Sequence, residues 1–249
     1  MTRVKTSQEI DYMRESGRML ATVLEVLRNR TEPGMSTKDL AGLASKELKK
    51  LGGKSAFLGY QGFPDVLCVS INDEVVHGIP KKSRVIANGD IVSLDFGVNY
   101  RGLITDAAIS FIAGEGDKRD QKLVETTERS LLAGIESVRD GGRIGDISQP
   151  IQDVLDKEGY GIVRDLVGHG VGHELHEEPN IPNYGSKGTG PVLLAGMTIA
   201  IEPMATLGGH GVFIDQDGWT VRTKDGSRAA HFEHTVLVTN GGYEILTAL

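Results

Sequence analysis

A chain of 249 residues with 39% hydrophobic content and a mean hydropathy of −0.17 is long enough to bury a sizeable core and is ordinary for a soluble globular protein. Its formal charge of −7 and pI near 5.5 argue against nucleic acid as the main ligand, because phosphate binding needs a basic surface. Cys68 is the one cysteine, which excludes an intramolecular disulfide and fits a reducing cytosol; a polar, mixed-charge stretch follows Met1, so no signal peptide is expected, and no apolar run approaches the roughly 18 residues of a membrane span.

In chain order, Thr6-Ser7-Gln8-Glu9 reads as a capping box. Ile10, Met13, Leu20, Val23, Leu24 and Leu27 follow at helical spacing until Pro33-Gly34. Ser36 and Asp39 form a second capping box before a helix that stops near Gly52-Gly53. Residues 66–72, 91–96, 105–111 and 198–202 are predicted strands, and 118–139 and 146–158 are predicted helices. Asp217-Gly218 is a hairpin turn signal. No low-complexity or Pro/Ser-rich linker divides the chain, so 1–249 is expected to be a single catalytic domain.

An internal echo runs through it. "PGMSTKDL" at 33–40 resembles "DGGRIGDI" at 140–147, and "NGDIVSLD" at 88–95 resembles "AGMTIAIE" at 195–202, both at an offset of 107. That offset carries Asp95 onto Glu202. "DAAISF" at 106–111 matches "EHTVLV" at 233–238 at an offset of 127, which implies about 20 extra residues near the Asp217-Gly218 turn. Two duplicated halves, roughly 33–115 and 140–240, are the expectation: an α/β chain in which each half ends a glycine-led strand on a carboxylate.

If 91–97 and 105–111 form a hairpin closing near Asn99 and Gly102, Asp95 lies directly across from Asp106, with Cβ atoms about 4.5–5.5 Å apart. Ser93 and Asp95 then share a face with Asp106 and Ala108, and Val92, Leu94 and Phe96 take the other. Buried like charges cost several kcal/mol per ion without compensation. A shared proton, basic neighbours or a bridging cation would compensate, but no Lys or Arg lies beside either acid. Glu202 and Glu233 bring two more carboxylates to the equivalent place, too many for one shared proton and suited to a pair of divalent ions. The plainer reading is a set of solvated acids at hairpin ends.

"GHGVGHELHEEP" at 168–179 holds three of the seven histidines. It lacks the HExxH spacing of a helical zinc site, and its glycines argue for a loop through which side chains converge. His169 is the best candidate nitrogen ligand, and His77 follows a strand-like run into a turn. His173, His210 and His231 read as ordinary surface or core residues. Aromatics are 5% of the chain, yet Phe57, Tyr60 and Phe63 fall within seven residues, with Cys68 close behind; core packing is the plain alternative to a pocket.

On "NDEVVHGIP", "DFG" with a second Asp eleven residues on, "GHGVG" with "HEEPNIPNYG", "IEPM" and "FEHT", the chain resembles the type I methionine aminopeptidases of peptidase family M24 over nearly its whole length. The resemblance implies the pita-bread fold: two pseudo-symmetric halves around a central antiparallel sheet, with helices on its outer face. It implies a dinuclear site held by Asp95, Asp106, His169, Glu202 and Glu233, in which Asp95 and Glu233 bridge or chelate. His77 and His176 would contact the substrate amide, and Tyr60, Phe63, Cys68, Leu175 and Trp219 would form the side-chain pocket. Phe63 stands where Tyr is usual and Leu175 where Phe is usual; both stay apolar, so specificity for Met is expected to persist with altered tolerance for bulky analogues.

One nitrogen and four carboxylates suit two ions such as Mn²⁺, Fe²⁺ or Co²⁺, which lower the pKa of a water and polarise the scissile carbonyl. The implied reaction is metal-activated hydrolysis of the first peptide bond, with Glu202 handling the water's proton, His176 donating to the carbonyl oxygen and His77 holding the amide nitrogen. The implied setting is a cytoplasmic monomer acting on nascent polypeptide N-termini with transient ribosome contact. Lys81-Lys82 and Lys118-Arg119 could face rRNA but read more simply as solvated surface. The resemblance weighs against type II enzymes, since no insertion of about sixty residues separates His169 from Glu233, and against prolidase and aminopeptidase P, which carry a whole N-terminal domain. The alternatives are an X-Pro peptidase of the same fold, an inactive platform on ribosomes or RNA, and an amine-binding module with one structural metal.

Overall fold

The computed structural model describes residues 4–248; Met1-Thr2-Arg3 and Leu249 lie outside them, and so does the start of the segment read as leaderless. Among the described residues four α-helices form, the first two opening at the expected capping boxes. α1 (Ser7–Arg30) opens at Thr6, whose hydroxyl accepts from the Glu9 N–H while the Glu9 carboxylate accepts from the Thr6 N–H. α2 (Thr37–Leu51) repeats the device with Ser36 and Asp39 and stops at Gly52, which adopts the left-handed conformation. α3 (Lys118–Ile135) ends before the expected 139, because the chain leaves to place the Gly141 N–H on the Leu193 carbonyl. α4 (Ile144–Glu158) starts two residues early, with the Asp146 carboxylate accepting from the Arg143 N–H.

All strand pairings are antiparallel. In the first half Ile91–Tyr100 is the axis and pairs with Lys54–Ser55, Cys68–Ile71 and Leu103–Ile112. In the second half the order is Gly242–Ile245, His234–Thr239, Thr198–Ile201, Gly168–Gly170, Glu177–Ile181. The two sheets meet where Ala108 and Glu233 exchange backbone hydrogen bonds of 3.2 and 2.9 Å. Equivalent backbone bonds recur at the offset of 107: Gly34 donates to Ile86 and Gly141 to Leu193, and Ser36 bridges Val85 as Arg143 bridges Val192.

Helices cover one face of each sheet. Leu20, Val23, Leu27 and Leu40 pack on Val92, Leu94 and Phe96. Leu123, Leu131, Ile147 and Ile151 pack with Ile199, Ile201 and Val236. Each such side chain, fully buried, contributes about 1.5–3 kcal/mol. Alternation along the strands then turns Ser93, Asp95, Asp106 and Ala108 away from the helices, as expected.

The register differs from expectation. Arg101 and Gly102, both at positive φ (54 and 87), form a two-residue turn, so Tyr100 pairs with Leu103, Asp95 with Ala108, and Asp106 with Gly97. The acids are diagonal neighbours, not directly opposed. The shift is by two residues, so the face of every side chain is unchanged. Arg101 is an unusual residue for that conformation, and its guanidinium lies over the Tyr12 and Tyr100 rings at 5.1 and 5.5 Å. Asp217-Gly218 also lies in a longer connection than the signal suggests, since the flanking strands Val212–Ile214 and Val221–Thr223 close at Ile214–Val221.

Candidate metal centre

Asp95 and Asp106 sit mid-strand, with each backbone already committed to the ladder, and project from the face away from the helices. The Asp106 N–H donates to the Thr235 hydroxyl oxygen, and that hydroxyl donates to the Asp106 carbonyl, fixing the strand against the second half. Glu202 and Glu233 stand one residue beyond the last pair, Ile201–His234, of their own strands. The buried Asn183 amide donates to the Glu202 carbonyl. His169 lies within Gly168–Gly170, where side chains at either glycine would strike backbone oxygens, 2.4 Å from Ala200 O and 2.3 Å from Glu178 O.

These five side chains face one cleft of about 150 Å³. Ligand-type atoms of Asp106, His169 and Glu233 all lie within 4.8 Å of one another, and His169 Nε2 lies 3.4 Å from Glu202 Oε1. The His169 Nδ1–H donates to the Gly170 carbonyl at 2.9 Å, which leaves Nε2 with its lone pair toward the acids. Burial, then His176, hold His169 neutral, with its pKa brought down to about 3. Burial is also the main cause that pushes all four carboxyls up: Asp106 to about 7, Asp95 well above its usual range with help from Asp106, Glu202 with help from Asp95 and Asp106, and Glu233 with help from Asp106, Glu202 and Asp95.

Among the described residues, Asp95 Oδ1, Asp106 Oδ1 and Glu233 Oε1 are buried without a hydrogen-bond partner, and no Lys or Arg ion pair reaches the four acids. Orphaned buried carboxylate oxygens are costly. A neutral imidazole and convergent hard oxygens are the donor set that a divalent cation satisfies, so the residues fit the group.

Beside the acids is an apolar chamber. Phe57 and Phe63 meet edge to face at 6.4 Å, and Phe63 meets Trp219 at 5.1 Å. Cys68, opposite Asp95 in the ladder, and Leu175 complete the wall, and burial raises the Cys68 thiol pKa. Tyr60 and His176 line the rim, with the Tyr60 hydroxyl 2.8 Å from His176 Nδ1; the His176 ring is 4.3 Å from that of His169. His77 lines the same cleft from a left-handed backbone (φ 58), a conformation uncommon outside glycine. Burial and His176 lower its pKa to about 4.

Every candidate ligand, catalytic and pocket residue named from the sequence therefore lines one cleft. Gln61, at φ 47, also lines it, and nothing in its sequence context marks it. His231, read as an ordinary residue, is 1% exposed, with Nε2 at 3.7 Å from Glu202 Oε2 and neither ring nitrogen bonded. Its nearness to "FEHT" was the only available signal. His173 binds Glu9 instead.

Comparison with known proteins agrees with this geometry. The model of metallopeptidase family M24 matches residues 11–240. A methionine aminopeptidase of Clostridium acetobutylicum is 46% identical over 99% of both chains, and methionine aminopeptidase 1 of Bacillus subtilis is 46% identical over 98% of both. The crystal structure of a Thermotoga maritima methionine aminopeptidase superposes with a TM-score of 0.98 at 49% identity, covering 100% of each chain. A prolidase from Pyrococcus furiosus shares the fold (TM-score 0.79, 21% identity), but this chain spans only 65% of it. Two antiparallel lobes with helices outside, a cleft of acids and one histidine between them, and full-length likeness to these enzymes place the chain in metallopeptidase family M24, as a pita-bread protein of the methionine aminopeptidase family.

Proposed function

We propose that this chain removes the N-terminal methionine from polypeptides, by hydrolysing the first peptide bond with two divalent ions held by Asp95, Asp106, His169, Glu202 and Glu233. The observation that carries this reading is the three unpartnered, buried carboxylate oxygens facing an apolar chamber of side-chain size. The ions, when bound, supply an activated water and a Lewis acid for the carbonyl. Mn²⁺, Fe²⁺ and Co²⁺ all suit the donor set.

The chain's own groups do the rest. Glu202 is the proton carrier: its two oxygens lie 3.4 Å from His169 Nε2 and 3.7 Å from His231 Nε2, at the edge of the acid cluster. With Tyr60 donating to His176 Nδ1, the neutral ring carries its proton on Nε2 and can donate to the carbonyl oxygen as charge grows there. His77, held neutral, takes the amide nitrogen. Phe57, Phe63, Cys68, Leu175 and Trp219 enclose a thioether, whose polarizable sulfur favours aromatic contact.

The whole of 1–249 is read as one catalytic domain with halves near 33–115 and 140–240, supported by the repeated backbone bonds at the offset of 107. The proposed setting is a cytoplasmic monomer meeting nascent N-termini, with transient ribosome contact. No helix among the described residues is long and apolar enough to cross a membrane. The test is elemental analysis of the purified protein together with hydrolysis of Met-Ala-Ser and of an X-Pro dipeptide, before and after chelation. About two metals per chain and chelator-sensitive release of Met are expected. X-Pro cleavage, or Met release indifferent to chelation, overturns the reading.

A further inference from the structure

The segment Val171–His176 has no regular secondary structure, yet it carries Leu175 and His176 into the cleft. Its conformation is set from the far end of the chain. Lys5 is 3% exposed, and its ammonium donates to Glu177 Oε2 at 2.7 Å. The other oxygen of Glu177 accepts from the backbone N–H groups of His173 (2.6 Å) and Glu174 (3.1 Å). One carboxylate thus joins Lys5 to the loop backbone. The Lys5 stem lies flat on Gly172, where a Cβ would come within 2.4 Å of Lys5 Cε, and the Lys5 N–H donates to the Gly196 carbonyl.

A second tie lies one helical turn on. Glu9 uses one oxygen to close the cap of α1 on Thr6, and its other oxygen lies 2.7 Å from His173 Nε2. On the inner side the loop is tied at Gly172, whose carbonyl accepts from Ile104, and at His176, whose Nδ1 meets Tyr60. Leu175 and His176 are therefore suspended between an N-terminal strap outside and cleft residues inside.

We propose that Lys5 and Glu9 are positioning residues for the reaction, holding the 172–177 loop so that His176 meets the carbonyl oxygen and Leu175 closes the side-chain pocket. This rests on the roles given to His176 and Leu175 above. A displacement of about 1 Å at a reacting group is enough to cost about 10²-fold in rate.

Lys5→Met, Lys5→Arg, Glu9→Gln and His173→Gln test it, with Arg14→Met as the control. Arg14 bonds to Glu244 and Asp11 and makes no hydrogen bond or ion pair with the loop. Lys5→Met should lower kcat/KM for Met-Ala-Ser by about 10- to 100-fold, with Mn²⁺ affinity by calorimetry unchanged and amide exchange at 172–177 accelerated. Glu9→Gln and His173→Gln should show the same pattern more weakly, and Lys5→Arg should restore most activity. Arg14→Met should cost Tm without moving the rate or the loop's exchange. Wild-type kinetics in Lys5→Met, or losses in Lys5→Met and Arg14→Met that track Tm alike, overturn the proposal. If the wild-type chain releases no Met, the function reading fails separately, and loop exchange in Lys5→Met still decides the strap.

Discussion

The two halves meet the same requirement differently. In the first half, Asp95 and Asp106 sit inside a continuous hairpin with a two-residue turn. In the second, Glu202 and Glu233 stand just past the ends of their strands, and the chain between them folds into several short strands that deliver Trp219 and His231. The third position differs too. His169 pairs with Ala200, whose counterpart at the offset of 107 is Ser93; Ser93 pairs with Ser70, whose hydroxyl accepts from Gly78. One half thus offers an imidazole where the other satisfies its own backbone. The carboxylate scaffold is doubled, while the candidate nitrogen ligand and the additions around it are not, and the proposed chemistry draws on the asymmetric parts.

The largest effect expected from disturbing this comparison comes from the shared scaffold. Glu202→Ala, and His77→Ala in the asymmetric part, should each lower kcat by at least about 10²-fold. Full kcat in His77→Ala would remove its assigned role. Next is the linkage of metal to protons. In metal-free protein the buried acids keep protons that the unfolded chain has released, while buried neutral His77, His169, His231 and His234 oppose this below the ordinary histidine range. Above about pH 6.5 the acids act alone, so stability should fall as pH rises through the value of about 7 reached by Asp106. Metal should abolish that slope and release protons on binding, with affinity rising as pH rises through about 7. Thermal melts and calorimetry in two buffers would show this, and a flat metal-free profile would contradict the burial of the four acids.

A smaller effect belongs to the pocket. Leu175→Ala should lower kcat/KM for Met peptides about 10-fold and narrow the preference for Met over smaller residues, read by competing N-terminal residues in one assay. Least is the strap's acid response. Thr6 and His173 hold the Glu9 carboxyl down at about 2. Its contribution to stability is therefore present above the usual carboxylate range and lost as pH falls toward 2, and Glu9→Gln should flatten that limb of the melting curve.

Much of this was legible. Capping boxes announced α1 and α2, and the echo tied Asp95 to Glu202 before any geometry was known. The register was not, because Arg101 is not a residue that signals a left-handed turn, and its stabilisation by Tyr12 and Tyr100 is tertiary. Face was recovered despite that error because side-chain direction depends only on parity. Gln61 and His231 escaped because a lone polar residue carries no period or spacing, and only folding shows that His231 joins His169 beside Glu202.

The backbone exchange between Ala108 and Glu233 gives the cleft a further property. It is a seam, and the candidate ligands straddle it, two from one lobe and three from the other. An ion seated there would also act as a fastener between lobes, so its loss should loosen the join and the active cleft together. A partial proteolysis pattern that sharpens between the lobes on chelation would be the visible trace of that double duty.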